Sequence, residues 1–418
     1  MEATTKIFPY LEKLLNGATV EWKKLGEVFI TRNGYTPSKS NPDYWTNGII
    51  PWFRMEDIRQ KGGVLTDAIQ HITNKAVKGK GLFKVDSIIM ATTATIGEHA
   101  LLKVDSLANQ QFTNFEVCNT LKDKLLPKFV YYYFFIIDDW CKQNIDVSSF
   151  PSVQMNKLKQ MSIPLPPLSV QRKIVEILDK FTELETELET ELELRKKQYE
   201  YYRDKLLSEE YLKTKGATVQ WKKLGEVGTF TRGSGLQKKD FKPSGVGCIH
   251  YGQIYTYYGI YTYKTKSFVS EEFALKARKA KHGNLIIATT SENDEDVCKA
   301  VAWLGDEDIA ISSDACFYAH TINPKYIAYY FQTELFQSQK RKFITGTKVR
   351  RVNANDLANF LIPLPPLSVQ HDIVEILDKF DTLCTSISKG LPKEIELRRK
   401  QYEYYRDKLL SFPKPIEE

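Results

Sequence analysis

Two segments of the chain carry the hydrophobic spacing of amphipathic helices. Apolar residues at i, i+3, i+4 and i+7 start at Ile174, and the same spacing starts again at Ile373. This periodicity places the apolar side chains on one face of a helix. Pro-Leu-Pro-Pro precedes each pattern, where proline ends the previous element and the following Ser169 or Ser368 can cap a helix. The sequence therefore predicts two long connector helices.

The first connector is expected to be continuous and the second to be interrupted. A helix from Ser169 to Leu207 would be roughly 60 Å long at about 1.5 Å per residue. The second connector is longer and contains Lys-Gly-Leu-Pro-Lys-Glu, which predicts a break near Gly390–Pro392. A further short helix is expected over Phe8–Leu15, packed near the C-terminal helix.

Three tandem copies of Thr-Glu-Leu-Glu occupy Thr182–Glu193 in the first connector. Glutamates four residues apart on a helix repel each other mildly, whereas the second connector carries a cluster of lysine and arginine. An antiparallel pair of connectors would bring the two charges together, and a solvated glutamate face is the alternative. The residues expected to pair the helices and set their length are Glu183, Leu184, Glu187, Leu188, Glu191 and Leu192.

The chain is written twice. GATVEWKKLGEV at Gly17 returns as GATVQWKKLGEV at Gly216, and IPLPPLSVQ begins at Ile163 and again at Ile362. KQYEYYRDKLLS is identical at its two occurrences, while the segments between these blocks differ strongly. Near-identical blocks on both sides of divergent segments indicate one scaffold that carries two different recognition modules.

Composition indicates a globular protein with sizeable cores. Of 418 residues, 42% are hydrophobic and 27% charged, and this length predicts two or three domains. The net charge of +7 is compatible with a nucleic-acid partner. The six cysteines are scattered and the six histidines form no ligand motif, which predicts reduced thiols in a cytosolic protein and no metal site. The apolar run Phe129–Ile137 is too short to cross a membrane, and the N-terminus lacks a secretory pattern.

Motifs of catalysis are missing from the sequence. It has no phosphate-binding Gly-x-x-x-x-Gly-Lys-Ser/Thr and no Gly-x-Ser-x-Gly elbow. Its Pro-Leu-Pro-Pro lacks the Asn or Asp that an amino-methyltransferase places before Pro-Pro. The acidic stretch Ser291–Asp296 has no accompanying acidic motif with a lysine, so a solvated loop is favoured over a nuclease site.

The remaining candidate residues are ones that could bind DNA. Ser338–Arg351 holds six basic residues and no acid, which suits contacts to DNA phosphates, with a solvated basic face as the alternative. The unlike loops Thr31–Ser40 and Thr231–Asp240 occupy matching positions, as base-reading loops on a common frame would. Tyr-rich Ile249–Tyr263 suits groove contacts or strand packing, and two apolar runs end in Ala-Thr-Thr at a predicted strand end. The candidate DNA contacts are Arg32, Tyr35, Thr36, Lys39, Thr92, Thr93, Arg232, Lys238, Lys239, Tyr255, Thr289, Thr290, Lys340, Arg341, Lys348, Arg350 and Arg351.

The doubled order of these blocks resembles the specificity subunit of type I restriction–modification enzymes. WKKLGEV stands before each variable half, IPLPPLSVQ and IVEILDKF follow it, and KQYEYYRDKLL closes each connector. Thr36–Trp52 and Gly235–Gly259 also look like variable-domain sequences of that family. The resemblance implies an α+β fold, with two mixed α/β target recognition domains joined by two long antiparallel helices in pseudo-twofold, duplicated halves. The expected boundaries are 1–16 for the N-terminal helix, 17–162 and 216–361 for the recognition domains, and 163–215 and 362–418 for the helical regions.

The resemblance also implies a function. Each domain would read one half of a split double-stranded DNA site, and the helices would set the spacer and dock two methyltransferase subunits. Translocase–nuclease subunits would join them in the prokaryotic cytoplasm. The chain itself would be non-catalytic and hold no cofactor, because S-adenosylmethionine, ATP and Mg belong to the partner subunits.

Two other readings of the sequence stay open. One is a coiled-coil scaffold that binds proteins without DNA specificity, which the salt dependence of DNA binding would distinguish. The other is a free-standing enzyme, which the missing cofactor motifs disfavour. Under the favoured interpretation, the Thr-Glu-Leu-Glu repeat acts as a ruler between two DNA-reading domains.

Overall fold

The structure, a computed structural model, describes residues 7–146, 151–215, 219–386 and 388–413. The chain forms two compact units. Unit 1 contains Met1–Glu187 and Glu396–Glu418, and unit 2 contains Leu188–Ile395. The predicted start of the second recognition domain, at 216–218, and the two chain ends lie outside the described residues. Within the described ranges, no helix is long and apolar enough to cross a membrane.

Helices cap the sheets and form the connectors. In chain order they are α1 Pro9–Leu15, α2 Leu25–Val28, α3 Met55–Lys61, α4 Pro127–Gln143, α5 Met155–Gln160, α6 Leu168–Leu206, α7 Glu209–Thr214, α8 Leu224–Val227, α9 Tyr251–Thr256, α10 Glu271–Lys276, α11 Pro324–Tyr330, α12 Glu334–Arg341, α13 Ala354–Leu357, α14 Leu367–Thr385 and α15 Leu391–Leu410.

The strands are short and numerous. Unit 1 contains β1 Glu21–Lys24, β2 Phe29–Asn33, β3 Ile50–Phe53, β4 Val64–Leu65, β5 His71–Ile72, β6 Ile88–Ala91, β7 His99–Leu102, β8 Leu107–Ala108, β9 Phe112–Val117, β10 Ile145–Asp146, β11 Ser152–Val153 and β12 Ser162–Leu165. Unit 2 contains β13 Gln220–Lys223, β14 Gly228–Arg232, β15 Val246–Ile249, β16 Tyr261–Thr262, β17 Ser267–Val269, β18 Lys279–Ala280, β19 Leu285–Ala288, β20 Thr290–Ser291, β21 Ala300–Trp303, β22 Ile309–Ile311, β23 Ala315–His320, β24 Arg350–Arg351 and β25 Leu361–Leu364.

Each unit is built around a five-stranded sheet with the same topology. The strand order is β2-β9-β6-β7-β4 in unit 1 and β14-β23-β19-β21-β16 in unit 2. The central strands β6 and β19 are four-residue apolar runs and are fully buried, as such runs predict. A smaller sheet accompanies each, in the orders β5-β3-β8 and β17-β15-β22-β18. The mixed α/β fold expected for each half is therefore confirmed.

Strands of the near-identical blocks at the two ends of each variable segment pair with each other. β1 pairs antiparallel with β12, which sets Trp22 opposite Pro164. β13 pairs with β25 in the same register, with Trp221 opposite Pro363. The two ends of each variable segment are thus hydrogen-bonded to each other, so the sequence between them can change without moving the points of attachment.

A buried glutamine joins each closing strand to a helix of the variable segment. The Gln171 side chain accepts from the Leu126 N–H at 2.9 Å and donates to the Pro166 carbonyl at 2.7 Å. Gln370 repeats both contacts, with the Asn323 N–H at 2.9 Å and the Pro365 carbonyl at 2.8 Å. Each amide therefore satisfies backbone groups at the start of α4 or α11 that a buried helix end would leave unpaired.

An aspartate on each connector makes the second attachment. Asp179 binds the Lys128 ammonium at 2.6 Å and accepts from the Tyr132 hydroxyl at 2.5 Å. In unit 2, Asp378 binds Lys325 and Tyr329, each at 2.7 Å. The lysine and tyrosine lie one helical turn apart on α4 or α11, so one carboxylate reaches both.

The two connectors pack antiparallel within each unit, as expected. In unit 1 the Phe181 ring of α6 stacks on Tyr405 of α15, with centroids 5.6 Å apart, and four residues further on Glu185 pairs with Arg399 at 2.6 Å. In unit 2 the Phe380 ring of α14 stacks on Tyr202 of α6, also at 5.6 Å. The stacked pair in each unit is therefore formed by equivalent aromatic residues of the two repeats.

Among the glutamates of the tandem repeat, Glu185 contacts the basic stretch of the second connector, as predicted, through Arg399. Glu187 is exposed, and Glu191 pairs with Arg195 of its own helix at 3.0 Å. The half-buried positions are Leu184, Leu188 and Leu192. The leucine row recurs every four residues and follows the packed face, which leaves most of the glutamates toward solvent.

The remaining helix predictions are confirmed. The first connector is the continuous helix α6, and the second is interrupted between Thr385 and Leu391. The N-terminal helix α1 packs near the C-terminal helix, since the Phe8 and Tyr405 ring centroids are 6.4 Å apart.

Candidate nucleic-acid interface

Polar groups gather in unit 2 where β19 and β20 end. The Thr289 N–H donates to the Asp314 carbonyl at 3.0 Å, and the Thr289 carbonyl accepts from Val352 at 3.1 Å. The Thr290 hydroxyl faces the Asp314 carboxylate at 3.4 Å. Two of the predicted contact residues, Thr289 and Thr290, therefore lie where the central strand ends. The β22–β23 turn and the end of the basic segment meet there.

The second half of the basic segment folds into a hairpin over this junction. Thr345 and Arg351 exchange two backbone hydrogen bonds of 2.9 Å, and β24 pairs with β20 so that Arg351 lies opposite Thr290. Gly346 makes the turn with φ of +87°, and a Cβ there would lie 2.1 Å from the Val349 carbonyl oxygen. The turn thus requires glycine. It presents Lys348 and Arg351, both exposed, beside the threonines.

Arg350 of the hairpin is held by an acidic loop. Its Nε lies 2.8 Å from an Asp294 carboxylate oxygen, and its Nη1 donates to the Gly346 carbonyl at 2.5 Å. The sequence prediction included the arginine but not Asp294. No local signal links the two, because they are far apart in sequence and meet only when β24 joins β20.

The first half of the basic segment is placed differently from the prediction. Lys340 is 1% exposed, and its ammonium donates to the carbonyls of Asp294 at 2.7 Å, Val297 at 3.1 Å and Glu295 at 3.4 Å. Burial lowers the pKa of this ammonium. Lys340 is therefore not available to a phosphate and instead anchors the acidic loop from within. Arg341 is exposed and pairs with Glu334.

The same contacts reduce the number of oxygen atoms that the acidic stretch Ser291–Asp296 could offer to a metal ion. Two of its carbonyls, those of Asp294 and Glu295, already bind an ammonium, and Asp296 pairs with Lys299 at 2.6 Å. Among the described residues, no group of three or more His, Cys, Asp or Glu side chains could hold a metal ion.

Three more predicted basic residues of unit 2 are exposed. Arg232 is exposed and its Nε donates to the Ser313 carbonyl at 2.8 Å, next to Asp314. Lys238 and Lys239 are exposed on a single 3-10 turn, which Asp240 caps at the Gln237 N–H at 2.8 Å.

The tyrosine-rich stretch is helical at its start. Tyr251–Thr256 forms α9, where the sequence favoured a strand. Tyr255 is half-buried against Tyr251, with ring centroids 6.3 Å apart, and burial raises the pKa of its hydroxyl. Tyr257 and Tyr263 are the exposed members, at 57% and 59%. Most of the stretch therefore packs, and only these two rings are largely exposed among its tyrosines.

In unit 1 several predicted contacts serve the fold instead. The Arg32 guanidinium donates to the carbonyls of residues 80–82 and lies 4.7 Å from the centre of the Phe83 ring. The Tyr35 hydroxyl donates to the Ala76 carbonyl at 3.1 Å and accepts from Lys78 at 2.9 Å. Both side chains fasten a loop whose carbonyls have no strand partner.

Unit 1 nevertheless also places polar residues where its central strand β6 ends, as unit 2 does after β19. Thr92 is buried and its hydroxyl bonds to that of Thr113 at 2.9 Å, while Thr93 pairs with Ser152 of β11. Thr36 donates to the side chain of Gln110 at 2.5 Å. Lys39 is exposed nearby in sequence. The equivalent face of unit 1 is therefore polar but carries far less charge, and Gln110 was missed because nothing in sequence marks that turn.

Comparisons with known proteins cover nearly the whole chain. The family model described as type I restriction modification DNA specificity domain matches twice, at residues 18–194 and 217–397. The EcoR124I/EcoR124II specificity subunit of Escherichia coli is 32% identical over 97% of this chain and 98% of its own length. The EcoprrI specificity subunit of Escherichia coli is 49% identical, over 52% of this chain and 56% of that relative.

Solved structures show the same fold. A chain from a study of complex assembly and conformational transition in the type I R-M system has a TM-score of 0.63 at 16% identity, covering 94% of this chain and 98% of that one. The HsdS subunit from Thermoanaerobacter tengcongensis has a TM-score of 0.52 at 17% identity, covering 95% and 99%.

Substitution of Lys340 by methionine should destabilise the protein. Methionine keeps much of the volume but removes the donor of three carbonyls, so the free energy of unfolding should fall by roughly 1–3 kcal/mol. Denaturant unfolding of the full chain measures the change. Arg341→Met is the matched control, because Arg341 is exposed, and its effect should stay within about 0.5 kcal/mol. Equal losses for the two variants would contradict the anchoring role of Lys340.

Proposed function

The chain belongs to the family of type I restriction–modification specificity subunits, and we propose that it reads a split double-stranded DNA site, one half with each unit. The observation that carries the proposal is the repeated face at the end of β6 and of β19. The same frame presents hydroxyls in both units, while the loops around them differ in sequence and charge. Two such faces suit two different half-sites.

The chemistry of the unit 2 face fits DNA. Lys348, Arg351 and Arg232 are exposed, and Arg351 lies opposite Thr290 in the β20–β24 pair. Cationic side chains of this kind neutralise phosphates, and hydroxyls serve phosphate or base edges. A protein-binding scaffold would not need this charge, and DNA binding that weakens steeply with rising salt would distinguish the two functions.

Partners would supply the catalytic steps in the prokaryotic cytoplasm. In this proposal two methyltransferase subunits dock on the helical frame and methylate the site with S-adenosylmethionine. Translocase–nuclease subunits that use ATP and Mg join the complex. The chain contributes position and sequence choice and holds no cofactor of its own.

The function is tested by methylation-sensitive long-read sequencing. The DNA comes from a methylation-free host that co-expresses this chain with its methyltransferase. A split motif is expected, and it should disappear when this chain is omitted. Absence of methylation, with the partner shown to be folded and bound, would overturn the proposal.

The repeated frame also offers a repeated docking surface. Tyr201 and Tyr404 occupy equivalent positions in the identical KQYEYYRDKLLS blocks, and both rings are exposed, at 59% and 55%. Each has a lysine ammonium beside it, Lys205 at 5.5 Å and Lys408 at 5.7 Å from the ring centre. Exposed tyrosines are frequent anchors of protein interfaces. Two identical patches suit two copies of one partner.

Alanine at these positions should remove the methyltransferase copies one at a time. Tyr201→Ala and Tyr404→Ala should each weaken one of the two binding events by roughly 30-fold, the effect of losing an anchor of about 2 kcal/mol. Native mass spectrometry without DNA should then show one bound subunit for each single variant and none for the double variant. Tyr257→Ala, an equally exposed tyrosine of the variable segment, is the control. Two subunits on the double variant at wild-type affinity would contradict this surface.

The tandem repeat is proposed to set the spacer between the half-sites. Each Thr-Glu-Leu-Glu unit adds about 6 Å of helix and turns it by about 40° beyond one full turn. That length is close to two base-pair steps of about 3.4 Å. Because leucine returns at every fourth position, removing one unit keeps the half-buried row nearly in phase.

Deletion of residues 186–189 should therefore shorten the spacer and leave both half-site sequences unchanged. Sequencing of the methylated motif measures both properties at once. Thr186→Ala keeps the helix length and is the control, with an unchanged spacer. An unchanged spacer with weaker binding after the deletion would rule out the ruler.

A further inference from the structure

We propose that Arg350 reads a guanine in the half-site bound by unit 2, and that Asp294 holds its guanidinium in the reading position. This inference rests on the proposed DNA-recognition function and assigns one base contact within it. It is carried by the backbone placement of Arg350, by the contacts of its guanidinium and by the anchored loop beneath it.

The backbone of Arg350 is fixed by the sheet. It lies opposite Ser291 in the β20–β24 pair, and Gly346 closes the turn of its hairpin. Its side chain is 34% exposed, so the guanidinium is supported on one side and open to solvent on the other. A side chain on a paired strand is held more closely than one on a free loop.

The contacts of the guanidinium leave its outer edge open. The Asp294 carboxylate forms an ion pair with the guanidinium, 2.8 Å from Nε, and the Gly346 carbonyl accepts from one Nη1–H. Nη2 donates to no acceptor among the described residues. One Nη1–H and both Nη2–H bonds are therefore left for a ligand, and a pair of guanidinium N–H donors can bind O6 and N7 of guanine.

Asp294 is itself fixed from the interior. Its carbonyl accepts from the buried Lys340 ammonium at 2.7 Å, while its carboxylate stays turned to Arg350. Asn293 and Asp296 brace the same loop through two hydrogen bonds of 2.9 and 2.7 Å. The carboxylate therefore orients Arg350 from a rigid support, which lowers the cost of ordering a long side chain on binding.

The local charge favours a base over a phosphate. Asp294 compensates the charge of Arg350, and Glu292 and Glu295 are exposed on the same loop, which disfavours a phosphate close to it. Lys348 and Arg351, also exposed, are better placed for phosphate contacts. The hairpin thus combines an oriented arginine for reading with free cations for affinity.

Unit 1 provides an internal contrast. The Thr93–Ser152 bridge of unit 1 matches the Thr290–Arg351 pair of unit 2, so Pro151 stands where unit 2 has Arg350. The guanine contact is therefore assigned to one half-site only.

The test is the methylated motif made by the full chain with its methyltransferase. Arg350→Ala and Arg350→Lys should each relax one G·C position of one half-site, lowering discrimination there roughly 5- to 150-fold. The other half-site and the spacer should not change. Asp294→Asn, which keeps the arginine but weakens its support, should relax the same position less.

Lys348→Ala is the matched control on the same hairpin. It should leave the motif intact, weaken binding evenly and reduce the salt dependence by about one phosphate contact. A wild-type split motif that stays unrelaxed in Arg350→Ala overturns the guanine contact alone. Absence of any split motif from the wild-type complex overturns the proposed function itself. Retention of the other half-site in each variant shows that the protein is folded.

Discussion

A glutamine and an aspartate on each connector hold the variable domain of each unit to its helical frame. Gln171 and Gln370 pair backbone groups on both sides of the junction, and Asp179 and Asp378 each bind a lysine and a tyrosine of the helix that follows the sheet. The two glutamines are buried, so losing one of their partners would leave an unpaired polar group. The attachment is therefore the same in both units, and everything between the attachment points is free to diverge.

That freedom is used at the strand ends. Both units place threonine hydroxyls where the central strand stops, but unit 2 adds a basic hairpin on a glycine turn and a buried lysine below it. Unit 1 has a proline, Pro151, at the position of Arg350. A common frame with different surfaces is the physical basis for reading two unlike half-sites with one chain.

The connector helices could be predicted from the periodic spacing of apolar residues. The partners of individual charged side chains could not be predicted from the sequence. The helix spacing around Ile174 and Ile373 gave both connectors, and Gly390–Pro392 gave the break. Lys340 was expected at the surface, because composition does not show which charges find buried carbonyls. Arg32 looked like a DNA contact and instead fastens a loop, since its acceptors lie about fifty residues away in sequence. Whether the exposed candidates touch DNA stays a prediction.

The central claim is that the frame is constant and the variable segments carry the specificity. The most direct measurement uses a hybrid chain in which residues 29–162 are replaced by a second copy of residues 228–361, joined at the near-identical flanking blocks. The methylated motif of this hybrid with the methyltransferase should contain one half-site twice, in inverted orientation, with the original spacer. A motif that still contains two different halves, or loss of methylation from an assembled complex, would contradict the claim.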